Sequence, residues 1–145
     1  MNYLASLEKA VGAALARKQI GRPVALRIVL QVTADHGLVV PVAAQAVEMA
    51  QRWFGSVAVR VYAQGGARSG FVSVLAEFAA GETALIAAEA GTEPPAVLVL
   101  LIGNHGTLQY DDAREAVLAQ PADSPLRRVI ERSLESRRPE AVSRG

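Results

Sequence analysis

The chain has 145 residues, 15 Lys and Arg against 14 Asp and Glu, and no cysteine. That length suits one domain around one buried core, and the absent thiols exclude a disulfide framework, thiolate catalysis and cysteine-ligated zinc. A formal charge of +1 lacks the basic surplus of a nucleic-acid-binding surface, so no nucleic-acid partner is expected.

The first residues, Met1-Asn2-Tyr3-Leu4-Ala5-Ser6-Leu7-Glu8-Lys9, lack the basic-then-apolar layout of a signal peptide. Leu4, Leu7, Val11, Ala14 and Leu15 then recur at helical spacing, opposite Glu8, Lys9, Arg17 and Lys18. This predicts an amphipathic helix over 3–18, stopped by Gly21 and Pro23. A β-rich stretch runs from Val24 to Val32, with Arg27 and Gln31 on one side of its alternation. Ala34-Asp35-His36-Gly37 reads as a loop. A second helix is expected from Pro41, which suits a first turn, to Phe54, with Gly55 as its stop.

Four strands are then expected over Val57–Ala63, Phe71–Phe78, Thr83–Ala90 and Ala96–Ile102, and a short fifth over Thr107–Tyr110. Their links carry glycines, which predicts hairpins and an antiparallel meander. Leu126, Val129, Ile130, Ser133 and Leu134 mark a last helix, and Pro139 onward reads as a flexible tail. The whole is a single α+β domain over 1–138, with a tail over 139–145.

The longest apolar run, Ala96 to Ile102, is far shorter than a membrane span. No membrane partner is expected, and the localisation expected is cytoplasmic. Yet 51% of the residues are hydrophobic and the mean hydropathy is +0.23, high for a small monomer. Because Ala96–Ile102 is apolar at every position, both faces of that strand must leave water. A dimer or higher oligomer built on the sheet face is therefore expected, through Leu98, Val99 and Leu100.

Motifs that carry chemistry are scarce. Gly65-Gly66-Ala67-Arg68-Ser69-Gly70 resembles a phosphate loop in composition, but such a loop must open a helix. Phe71-Val72-Ser73-Val74-Leu75 continues as a strand, so the cluster reads as a hairpin turn. His36 and His105, the only histidines, stand about seventy positions apart with no ligand spacing around them. Asp111 and Asp112 are neighbours on a strand and point to opposite faces, which is awkward for a shared acid/base task. Glu131 and Glu135 interleave with Arg127, Arg128 and Arg132 at helical spacing, the pattern of a salt-bridged outer face. Trp53 and Phe54, at a helix end, read as core anchors. No catalytic residue, cofactor site or metal site is predicted.

Several segments, in order, resemble the C-terminal domain of the Gfo/Idh/MocA oxidoreductases, the glucose–fructose oxidoreductase and inositol dehydrogenase family. Gln19-Ile20-Gly21-Arg22-Pro23 is similar to the family's "G-x-I-G-x-P" opening of the first strand. Val47-Glu48-Met49-Ala50-Gln51-Arg52-Trp53-Phe54-Gly55 resembles its "hD-L-x-R-W-L-x-G" helix, and Val72 to Ala84 its "v-x-L-x-F-x-x-G-x-x-g" hairpin. Leu101-Ile102-Gly103-Asn104-His105-Gly106-Thr107-Leu108 looks like its "v-x-G-x-x-G-t-l" turn. Ser133-Leu134-Glu135-Ser136-Arg137-Arg138-Pro139 is similar to its "S-L-x-x-g-x-P" helix.

The resemblance implies one mostly antiparallel sheet of about six strands, three helices on one face, and the other face used for oligomerisation. Family members normally begin with a Rossmann domain that carries a Gly-rich fingerprint and a Glu-Lys-Pro segment with the catalytic lysine, and neither motif occurs in this sequence. The family's Asp-x-Gly-x-His segment, whose Asp and His face the substrate, falls at Pro41, Ala43 and Gln45. Proline carries no proton to transfer, and a glutamine amide is no useful acid or base near neutral pH. What the resemblance implies is a free-standing, non-catalytic domain for oligomerisation or for binding a sugar- or polyol-like molecule, near His36, Pro41 and Gln45 if a pocket survives. The alternative is one subunit of a split NAD(P)-dependent oxidoreductase, completed by a separate Rossmann chain. No cofactor is expected to bind this chain alone.

Overall fold

The computed structural model describes residues 3–17, 20–32, 35–91, 96–112 and 125–142. Alternation along the first strand, β1 (Pro23–Val32), sets the architecture. Leu26, Ile28, Leu30 and Val32 are each at most 3% exposed, whereas Arg27, Val29 and Gln31 point the other way. One face of the sheet is thus committed to a core and the other is not.

A 3₁₀ turn (His36–Leu38) leads into α2 (Val39–Phe54), which follows α1 (Tyr3–Ala16) in the chain. Helix α2 is buried on most of its circumference, from Val39, Val42 and Ala43 through Ala46 and Ala50 to Trp53. It lies between α1 and the last helix, α3 (Pro125–Ser136), and packs on the sheet beneath. Small side chains meet at that junction: Ala43, Ala46 and Ala50 on the helix, Ala76, Ala84 and Ala88 on the sheet, all fully buried. Gly55 ends α2 in the left-handed conformation (φ 63°), its N–H donating to the Gln51 carbonyl. Trp53 is 7% exposed, and Phe54 meets Phe78 edge to face at 4.9 Å.

The strands that follow are β2 (Ala58–Gly66), β3 (Phe71–Phe78), β4 (Thr83–Ala90), β5 (Ala96–Gly103), β6 (Gly106–Asp112) and β7 (Glu140–Ala141). They form one seven-stranded sheet in the order β6-β5-β1-β4-β3-β2-β7. β2, β3 and β4 are successive antiparallel hairpins, as are β5 and β6. The expected meander breaks between β4 and β5, because β1 inserts there, parallel to β4 and antiparallel to β5. β1 carries four large aliphatic side chains on its inner face, and the centre of a sheet is where such a strand buries most area. The sheet is therefore mixed, and mostly antiparallel.

Two further differences concern the edges. The tail expected from Pro139 is instead strand β7, paired with Arg60 and Val61 of β2, and the Val142 N–H donates to the Val59 carbonyl at 2.9 Å. Pairing there covers part of an otherwise open edge. Residues 143–145 lie outside the described residues. The helix register read from the sequence holds: Arg127 pairs with Glu131 at 3.0 Å, and Arg52 of α2 grips Glu8 of α1, with Nη2 to Oε1 at 2.8 Å and a second bond from Nε to Oε2. The Glu8 hydrogen bond raises the Arg52 pKa above its ordinary value.

Two of the motifs behind the resemblance interlock. The Asn104 N–H donates to the Arg22 carbonyl at 3.0 Å, its Oδ1 accepts from the Arg22 N–H at 2.8 Å, and the His105 N–H reaches the Ile20 carbonyl at 3.0 Å. The contact leaves no room for side chains. Gly21 has φ +74°, and a Cβ there would sit 2.2 Å from Asn104 Oδ1; a Cβ on Gly103 would sit 2.1 Å from the Ile20 carbonyl oxygen.

A single hydroxyl ties α3 to the sheet. Ser133, fully buried, accepts from the Ala63 N–H at 2.8 Å and donates to the Arg138 carbonyl at 2.7 Å. Ser133→Ala leaves a buried N–H and a carbonyl without these partners, so a loss of about 1–3 kcal/mol is expected in urea unfolding. A loss below about 0.5 kcal/mol would mean that water replaces the hydroxyl.

Candidate functional site

Two regions are candidates, one implied by the motifs and one by burial. The first contains His36, Pro41 and Gln45. His36 opens the 3₁₀ turn, which Asp35 caps by accepting the Gly37 N–H at 2.9 Å. Its imidazole rests against the hairpin of β2 and β3, where a Cβ on Gly70 (φ +68°) would come within 2.9 Å of the ring. His36 is exposed; Pro41 is buried in the first turn of α2; Gln45, one turn on, is half-buried with its Oε1 out of contact with water. Pro41 and Gln45 thus share a helix face at i and i+4, and His36 stands on the turn before it. Of the three, only His36 carries an ionisable side chain, so no acid–base pair forms among them. His105 lies on the β5–β6 turn near the start of β1, whereas His36 follows its end. The ten residues of β1 hold the two histidines about 30 Å apart, too far to share an ion.

The second region is the sheet face turned away from the helices. Backbone register sets its rows. Leu100, Arg27, Leu85, Leu75 and Tyr62 form one line across β5, β1, β4, β3 and β2. Leu98, Val29, Ala87, Ser73 and Gln64 form the next. Phe71, Leu75, Leu85 and Leu98 are 40%, 43%, 40% and 39% exposed. All four lie on this one face, and Leu98 also lines a shallow cavity of about 260 Å³ with Arg27, Val29, Leu100 and Gln109. Charge on it is sparse: Arg60 pairs with Glu77 at 3.5 Å, and Arg27 and Glu89 are exposed.

Of the interface residues expected from the sequence, Leu98 and Leu100 are on this face. Val99 is not. It is fully buried beneath the helices, because side chains alternate along β5; it belongs to the core. Sequence reasoning set Phe71 and Leu75 on the face away from the core but did not place Leu85 and Glu89 on the face that carries Leu98, since only strand order and register bring them together. It also missed Glu82, read as turn but 8% exposed, with Oε1 buried and unbonded.

This arrangement defines a class before it suggests a function: a two-layer α+β domain with helices on one side of a mixed sheet and, among the described residues, no helix on the other. No protein-family model matches the chain, and no curated protein does. Solved structures do. A myo-inositol dehydrogenase from Corynebacterium glutamicum matches with a TM-score of 0.71 and 15% identity, over 95% of this chain and 62% of that one. A myo-inositol 2-dehydrogenase from Lactobacillus plantarum matches at 0.70 and 8%, over 94% and 61%. A scyllo-inositol dehydrogenase from Lactobacillus casei, with bound NAD(H) and scyllo-inositol, matches at 0.69 and 11%, over 93% and 61%. The chain therefore has the fold of Gfo/Idh/MocA dehydrogenases, the one its motifs pointed to, and it spans about six-tenths of their length. At these identities the shared property is the fold.

Proposed function

We propose that this chain is a non-catalytic association domain whose open sheet face binds a second copy. The observation that carries the reading is the set of four large apolar side chains, 39–43% exposed, gathered on one face. Six strands of seven to ten residues span about 25 Å by about 25 Å, roughly 600 Å² of flat area. As rugged accessible surface this approaches the roughly 800 Å² that each partner contributes to a standard interface. A copy presenting the same face is its simplest cover.

Light scattering at micromolar concentration tests this. The expected mass is twice the 15.3 kDa of the chain, and a clean monomer would sink the reading.

A second reading draws on the dehydrogenase fold and the chain's partial coverage of it. Here the chain is one subunit of an NAD(P)-dependent oxidoreductase, and a separate chain carries the nucleotide site. The residues at the family's acid/base positions oppose catalysis here, since Pro41 and Gln45 offer no titratable group. Calorimetric titration with NAD+ and NADP+ separates the readings: no micromolar binding is expected, and such binding would overturn the non-catalytic assignment. Any sugar or polyol that binds is expected beside His36, Pro41 and Gln45.

A further inference from the structure

We infer that the second copy docks in one register, set by an Arg27–Glu89 ion pair made twice across a two-fold axis; this rests on the association reading above. Across β1 to β5 the outward positions carry four charged side chains, Arg27, Arg60, Glu77 and Glu89. Arg60 and Glu77 neutralise each other at 3.5 Å. Arg27 and Glu89 have no ion-pair partner among the described residues. Each is tolerable while water covers it. Under a second apolar face either one, left alone, would be a buried unpaired charge, which is far costlier than a buried pair. Over these five strands one positive and one negative charge remain, and a second copy supplies the complement of each.

Their placement selects the axis. Arg27 is in register with Leu85, and Glu89 lies four residues further along β4. The two charges are therefore separated by about 13 Å along the strands and about 4.8 Å across them. In a face-to-face dimer the two-fold axis lies between the sheets. An axis over the row of Arg27 would set that guanidinium against its own copy. An axis over the row of Glu89 would oppose two carboxylates. Midway, over Val29 and Ala87, the axis exchanges the two charges, so each arginine meets the glutamate of the other copy. Val29 and Ala87 then lie near their own copies, at the centre of the apolar patch. The line joining Arg27 to Glu89 is tilted about 20° from the strands, so the exchange crosses the two sheets at about 40°. That is close in magnitude to the roughly 30° at which aligned sheets pack.

Charge reversal tests the register. Arg27→Glu and Glu89→Arg, each alone, place like charges together twice per dimer. Each is expected to raise the dimer dissociation constant about a hundredfold or more, with circular dichroism unchanged. An equimolar mixture of the two variants is expected to recover the parent dimer mass, because in the mixed pair every reversed charge faces an opposite one. The doubly reversed chain should recover it too. If the single variants stay dimeric while Leu98→Asp dissociates, or if they dissociate and the mixture does not recover, the register is wrong and the association reading stands. A monomeric parent chain overturns both.

Discussion

Leu98→Asp is expected to yield a folded monomer of 15.3 kDa at concentrations where the parent chain is a dimer. Leu98 is 39% exposed and stands on the open face beside Val29, so in the subunit its replacement disturbs no core packing. In the assembled face the same position has no water. A two-fold axis doubles every substitution, so the dimer would have to bury two carboxylates with no cation opposite them. Each such burial costs several kcal/mol. Even a net loss of about 4 kcal/mol raises the dissociation constant about a thousandfold. Subunit stability should change by about 1 kcal/mol or less, the span of β-propensity at an exposed strand site. Sedimentation equilibrium and urea unfolding together read the two quantities. Undiminished association by this variant would mean that the copies meet elsewhere, for example through helices.

The neighbouring leucines should behave oppositely. Leu101 is fully buried in the core under the helices, whereas Leu100 is half-buried and lines the outward cavity beside Arg27. Leu101→Ala removes apolar atoms from a closed space and leaves a void, so it should cost about 2–5 kcal/mol of unfolding free energy. With small domains holding about 5–15 kcal/mol in total, that lowers the melting temperature by many degrees. Leu100→Ala should cost the subunit about 1 kcal/mol or less and instead weaken association. Denaturant midpoints of the two variants, measured below and above the dimer dissociation constant, check the contrast. Equal losses at low concentration would mean that the two faces of β5 are equally dry in the monomer.

This contrast shows where sequence reading stops. Seven consecutive apolar residues from Ala96 to Ile102 state that a strand is dry on both sides; they do not state which side faces the helices. Val99, expected at an interface, proved to be core, and Leu98 and Leu100 proved to be outward. Period-2 alternation gives two sets of residues but no sign, and the sign comes from where α2 crosses the sheet. The candidate ligand residues illustrate a related limit. Helix α2 could be read from Pro41 to Phe54, two residues short of its actual start at Val39, yet the burial of Pro41 beside an exposed His36 depends on what packs over the start of the helix.

Local chemistry by itself determined the elements and the hairpins. The apolar periods, Gly55 as a helix stop, and Gly65, Gly66 and Gly70 in a β2–β3 turn all act over a few residues, within the range a sequence window holds. The motif order further pointed to the fold. Only the tertiary structure decided the rest. β1 inserts between β4 and β5 because a strand with Leu26, Ile28, Leu30 and Val32 on one face gains most at the sheet centre, and nothing in the β4–β5 link records that insertion. β7 forms because β2 has an open edge far from it in sequence. Arg27 and Glu89 share a face with Leu75, Leu85 and Leu98 through strand register alone. Register is a long-range property, fixed by which backbones pair, and so the surface that gives this protein its proposed function is written in the pairing of strands, not in any one segment.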